Sequence, residues 1–177
     1  MEYPLQYYLS CFDRMNCNKR KGETAPHKAV LLLTVIEEVR LGHITNGFVP
    51  LNDQMVAAFK REWRKYVGES PLFNPVFETP FFHLEYEPFW ELMKREHFKE
   101  MREYSLTRLR ENFFGAKIPD DLCDYMTNDV SRRLLKKALI EKYLPHFDIS
   151  NILNIAAETS TSYGSGDLNN IVSKLRA

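Results

Sequence analysis

Three groups of residues have the chemical character to do more than fill a core. The first is a basic run, Lys19, Arg20 and Lys21, followed by His27 and Lys28 at the start of an apolar stretch. Helix N-termini attract anions through unpaired N–H groups and the helix dipole, so cations placed there suit a phosphate. The same run also reads as a solvated loop leading into a core helix, and the pattern alone leaves both readings open. The second group is Thr79-Pro80-Phe81-Phe82-His83-Leu84. A proline among rings reads first as packing, and otherwise as a rigid apolar concavity for a soft, poorly hydrated group. The third is the pair Arg108 and Arg110, whose ordinary reading is a solvent-facing stripe.

Catalytic and metal patterns do not emerge. The five histidines, His27, His43, His83, His97 and His146, are scattered, with no H-E-x-x-H and no neighbouring cysteine pair. That excludes the usual zinc spacings. Pro119-Asp120 followed by Glu141-Lys142 has the wrong spacing for a metal-dependent nuclease and falls on expected helices. The seven glycines are too dispersed for a phosphate-cradling loop, and no G-x-S-x-G is present. The expectation is therefore no catalytic residue, no metal and no cofactor.

The elements that must position these groups are mostly helices. Leu5 to Met15 and Asn52 to Val67 are amphipathic; in the second, Met55, Phe59 and Trp63 recur every fourth residue. Pro26 to Gly42 is expected as a helix, and its run Ala29 to Ile36 is apolar on nearly every face, which marks a central helix surrounded by others. Ile44 to Leu51 contains Asn46-Gly47, a tight-turn dipeptide that suits a hairpin or a simple loop. Phe81 to Tyr86 alternates enough for a short strand, and Pro88 is expected to open a helix with Phe89 and Trp90. Further helices are expected over Ser105 to Phe113, after Pro119-Asp120-Asp121, and over Val130 to Tyr143. The fold class expected is mainly α, a multi-helix bundle with one short β-hairpin. The domain is expected to span 1–158. A polar small-residue linker, Thr159 to Gly166, then leads to a short terminal helix, within 159–177.

Composition narrows the partners. The 177 residues carry 24 Lys+Arg against 24 Asp+Glu, a formal net charge of +0. A nucleic-acid binder with that balance must use a local patch, and its salt dependence should be moderate. The three cysteines, Cys11, Cys17 and Cys123, form no C-x-x-C and read as reduced thiols, which implies a cytoplasmic protein. The N-terminus MEYPLQYYL lacks the basic segment and apolar stretch of a secretory signal. The longest apolar run, Ala29 to Ile36, is too short to cross a membrane. Twelve Phe, nine Tyr and two Trp leave a second class open, a helical protein-interaction domain without DNA binding.

Several segments taken together resemble one family. They are A-P-H-K-A-V-L-L-L (Ala25 to Leu33), N-G-F-V-P-L (Asn46 to Leu51) and F-x-x-x-W (Phe59 to Trp63). N-P-x-F-x-x-P-F-F-H-L (Asn74 to Leu84), F-W-E-L (Phe89 to Leu92) and L-L-K-K-A-L-I-E-K-Y-L-P (Leu134 to Pro145) follow in order. The set, over roughly residues 3 to 146, is similar to the sulfur-binding domain of phosphorothioate-dependent, McrA-like HNH type IV restriction endonucleases. The resemblance implies a reader of double-stranded DNA with a modified backbone and a separate HNH domain that cuts; the sequence leaves a homodimer open. Cutting would then lie with a part beyond the linker, unless the chain is a stand-alone reader. By position it assigns Arg20, His27 and Lys28 to DNA contacts and Thr79, Pro80 and His83 to a sulfur cavity. One arginine of Arg108 and Arg110 would complete the site. The sequence departs from the family pattern at Lys28, Thr79 and His83, where arginine, an aromatic and a small residue are usual.

Overall fold

The computed structural model describes residues 2–100 and 105–150. Its centre is α2 (His27–Arg40), in which every residue from Ala29 to Ile36 is buried. A helix apolar all round needs neighbours on all sides. α3 (Asp53–Tyr66), α4 (Glu78–His83), α6 (Asp120–Thr127) and α7 (Asp129–Tyr143) supply them, and α1 (Leu5–Asp13) closes over α6 and α7. Buried Thr34 satisfies its hydroxyl on the Val30 carbonyl at 2.7 Å, so it costs the core little. Asn52 caps α3 by accepting from the Met55 N–H, and Asn128 caps α7 by accepting from Val130 and Ser131. Residues up to Phe147 form one unit. The boundary expected at 158, with the linker and terminal helix of 159–177, lies outside the described residues.

Mainly α holds, but the strands make two small sheets rather than one hairpin. β1 (Lys19–Arg20) and β2 (Glu23–Thr24) pair across Lys21 and Gly22, whose φ values of 50° and 80° give a tight turn of the kind hairpins favour. This hairpin occupies the segment expected as a loop. β3 (Phe48–Pro50) does not fold back locally after Asn46-Gly47. It pairs antiparallel with β5 (Phe113–Lys117), which also pairs with β4 (Glu91–Lys94), giving the order β3-β5-β4. Gly115 lies at the centre of this sheet. A Cβ there would stand 2.4 Å from the Val49 carbonyl oxygen and 2.8 Å from the Phe48 ring, so only glycine admits the close pairing.

Two expectations around the proline-aromatic segment are corrected. Phe81 to Tyr86 is not a strand: it completes α4 and continues as a 3-10 turn, Leu84–Tyr86. The buried positions, Phe77, Phe81 and Leu84, have helical spacing, which overrides the short alternation. Pro88 does not open a helix. The indole N–H of Trp90 donates to the Phe81 carbonyl at 3.0 Å, holding the chain in a turn that enters β4. Leu92 is then buried between exposed Glu91 and Met93, the period of two of a strand. α5 (Leu106–Asn112) matches its expected helix, capped by Ser105.

Candidate nucleic-acid interface

An open cleft of about 680 Å³ lies between the β1–β2 hairpin, the start of α2, the loop after α3, and α4 with its 3-10 turn. Six residues singled out from the sequence line it: Arg20, His27, Lys28, Thr79, Pro80 and His83. They come from segments more than fifty positions apart. Lys19, three asparagines (Asn16, Asn18, Asn74), Cys17, Val76 and Tyr86 also face it, and among the described residues no carboxylate does.

Each cation has a distinct situation. The Arg20 guanidinium donates to the Leu72 carbonyl at 2.9 Å, an acceptor that leaves its charge uncompensated. Lys19, Arg20 and Lys21 have no carboxylate partner among the described residues, and all three are exposed. Lys28 is different. Its ammonium donates to the Asn16 carbonyl at 2.7 Å and to Glu87 Oε1 at 3.2 Å. The side chains of this ion pair are only 11% and 10% exposed. The same Glu87 oxygen accepts the Asn16 N–H at 3.2 Å. Glu87 thus bolts the Asn16 turn to α2 and neutralises the cation at the back of the cleft.

His27 is a strut rather than an open base. Its Nε2 lies 2.7 Å from the Asn74 carbonyl, which can only accept, so Nε2 carries the proton. The ring packs on Trp63 with centroids 4.7 Å apart. With Arg20 on Leu72 and Ser70 Oγ accepting from the Leu72 and Phe73 N–H groups, His27 pins the loop that forms one rim. Burial pushes its pKa down from 6.5, against the pull of the Asn74 carbonyl. The folded state therefore binds this proton more weakly than the unfolded chain. Its stabilisation is complete above about pH 6.5 and is lost as pH falls through the folded pKa. An NMR titration should place the His27 midpoint below 6.5; a midpoint above it would refute the buried, neutral strut.

The opposite wall is low in charge. Pro80 is buried at the third position of α4, where a missing N–H costs no helical hydrogen bond. Phe77, Phe81 and Leu84 anchor α4 in the core, with Phe77 against Phe59 and Phe81 edge-on to Trp90. The His83 pKa is lowered first by burial and then by the Lys28 charge, so its ring is neutral at neutral pH. Burial also pushes the Cys17 thiol up, which keeps it protonated. Thr79 is exposed at the edge.

Arg108 and Arg110 do not line the cleft. Arg110 donates to the Leu51 carbonyl at 2.9 Å and to Asp53 Oδ1 at 2.8 Å, tying α5 to the start of α3. Arg108 is exposed on α5, which packs against α4, and its guanidinium has no hydrogen bond among the described residues. Tyr86, Asn16, Asn74 and Cys17 line the cleft, and Glu87 braces it from behind; the sequence did not single out any of the five. No spacing marks Glu87, because its partners lie 59 and 71 positions away.

Among the described residues no group of three His, Cys, Asp or Glu could hold a metal ion, and no helix is long and apolar enough to cross a membrane. The arrangement can bind an anion at its cationic rim while placing one face of that anion against a neutral, weakly polar wall. No protein-family model matches the sequence, and no curated protein matches it. Among solved structures the chain is similar to the sulfur binding domain of ScoMcrA complexed with phosphorothioated DNA. The TM-score is 0.62 at 18% identity, over 80% of this chain and 89% of that one. The chain therefore has the fold of a sulfur-binding domain.

Proposed function

We propose that this protein is a DNA-reading module whose cleft accepts a phosphorothioate in the backbone of double-stranded DNA. The observation that carries the proposal is the composition of the cleft. In a chain of net charge +0, one concavity gathers uncompensated cations at its rim and a proline-based wall behind, with no carboxylate among the described residues that line it. Arg20 and Lys19 hold the backbone, and His27 and Lys28 build the framework around it. With Arg110 tied to Leu51 and Asp53, Arg108 is the arginine of the two left to reach the DNA beside α4. Pro80, with Thr79 and His83 flanking, forms the sulfur wall.

The chemistry favours sulfur there. Sulfur is larger, softer and less strongly hydrated than the oxygen it replaces. An ordinary phosphate oxygen pressed against Pro80 would lose water without gaining a donor, at a cost of about 1–3 kcal/mol. The fold shared with a domain solved on phosphorothioated DNA supports the assignment. In a fuller form of the proposal, the module serves a type IV restriction system, and cutting belongs to an HNH domain outside this chain. The test is direct competition between duplexes differing only in one sulfur atom. We expect the modified duplex to bind at least about tenfold tighter, within the range that cost allows. Equal binding of the two would refute the sulfur assignment.

A further inference from the structure

We infer that Tyr86 and His83 form a stacking shelf at the mouth of the cleft, which takes a nucleobase adjacent to the bound phosphate after that base has left the helical stack. The inference rests on the nucleic-acid reading above and goes beyond it, because backbone recognition alone needs no ring. Tyr86 is 74% exposed, more than any other large apolar residue described. An isolated exposed ring would be unremarkable, but this one is not isolated. It lies 20° from parallel to the His83 ring with centroids 6.0 Å apart, and both rings line the cleft.

The shelf is also rigidly mounted. Tyr86 ends the 3-10 turn whose first residue, Leu84, is fully buried. The next residue, Glu87, donates its N–H to the Leu84 carbonyl at 2.8 Å and accepts from Lys28 and Asn16 through its carboxylate. A rigid ring loses little freedom on binding, which favours stacking. The tyrosine hydroxyl has no hydrogen-bond partner among the described residues, so nothing diverts the ring from a ligand. His83 is held neutral by burial and by Lys28, so it backs the Tyr86 ring without adding a charge. The cationic rim at Lys19 and Arg20 then holds the phosphate from which the base projects. Stacking on aromatic rings tolerates every base, so the shelf selects an unstacked base and not a sequence.

The inference can be tested with two phosphorothioate duplexes, one fully paired and one with a mismatch at the nucleotide next to the modified linkage. A mismatched base costs less to unstack. The wild-type protein should bind the mismatched duplex about tenfold tighter. Tyr86→Ala should bring the ratio near one, and Tyr86→Phe, which keeps the ring, should preserve it. Equal melting temperatures for the variants and the wild type establish that the fold is intact. If the wild type binds both duplexes equally well, or Tyr86→Ala keeps the ratio, the shelf is refuted while the DNA-reading proposal stands. If the wild type binds neither duplex, both are refuted.

Discussion

Pro80→Gly should bring the preference for phosphorothioate over ordinary duplex from at least about tenfold to near one, chiefly by improving binding of the ordinary duplex. The wall discriminates through what it withholds. Pro80 offers no N–H, its ring is fixed at the start of α4, and neighbouring His83 and Cys17 are both neutral. An oxygen placed there is desolvated without compensation, about 1–3 kcal/mol, or roughly five- to 150-fold at 1.4 kcal/mol per decade. Glycine removes the ring, admits water and adds an N–H, so the oxygen recovers its hydrogen bonds. Because glycine also loosens the first turn of α4, Pro80→Ala is the needed companion: it keeps the helix while removing the ring and adding the same N–H. Both variants should lose the preference, with glycine losing more. If competition binding shows the preference intact in both, Pro80 is not the sulfur wall.

The residues that surround the cleft differ greatly in how visible they were in the sequence. α2 was plain, because eight consecutive buried positions cannot be anything but a central element at that length. The basic run and Pro80 were visible as residue types, and the fold brings them to one cleft. What local pattern could not supply was pairing across the chain. Phe113 reads as the end of a helix until β5 is seen between β3 and β4, whose partners stand tens of residues away. The segment from Phe81 to Tyr86 looked like a strand because two rings and a leucine alternate with polar residues. Tertiary packing of Phe77, Phe81 and Leu84 decided for a helix. Glu87 was invisible for the same reason. A glutamate after a tyrosine carries no signal until Asn16 and Lys28 are folded against it. Arg108 and Arg110 looked equivalent, and only the Asp53 carboxylate and Leu51 carbonyl separate them.

Lys28→Ala should destabilise the fold more than any other single change at the cleft. It leaves the Glu87 carboxylate, 10% exposed, without its cation. Removing one partner of a buried pair costs about 3–5 kcal/mol, and the residual exposure argues for the low end. At roughly 2–4 °C per kcal/mol, the melting temperature should fall by about 6–12 °C. The double variant Lys28→Met with Glu87→Gln should recover most of that loss. Methionine replaces the aliphatic stem, and the glutamine oxygen still accepts the Asn16 N–H. The double variant also separates two roles for Lys28. If its ammonium met a DNA phosphate directly, the slope of log affinity against log salt would shrink by about 0.9, one phosphate on duplex DNA. Two of its three N–H donors are already spent on Asn16 and Glu87, and Glu87 cancels its charge. Removing the pair as a unit should therefore leave the slope nearly unchanged, whereas Lys19→Ala, which removes an uncompensated charge, should reduce it by about 0.9. A full reduction in the double variant would return Lys28 to the phosphate-contacting role that its place at the helix start first suggested. An unchanged slope makes it the brace that sets the distance between the cationic rim and the proline wall.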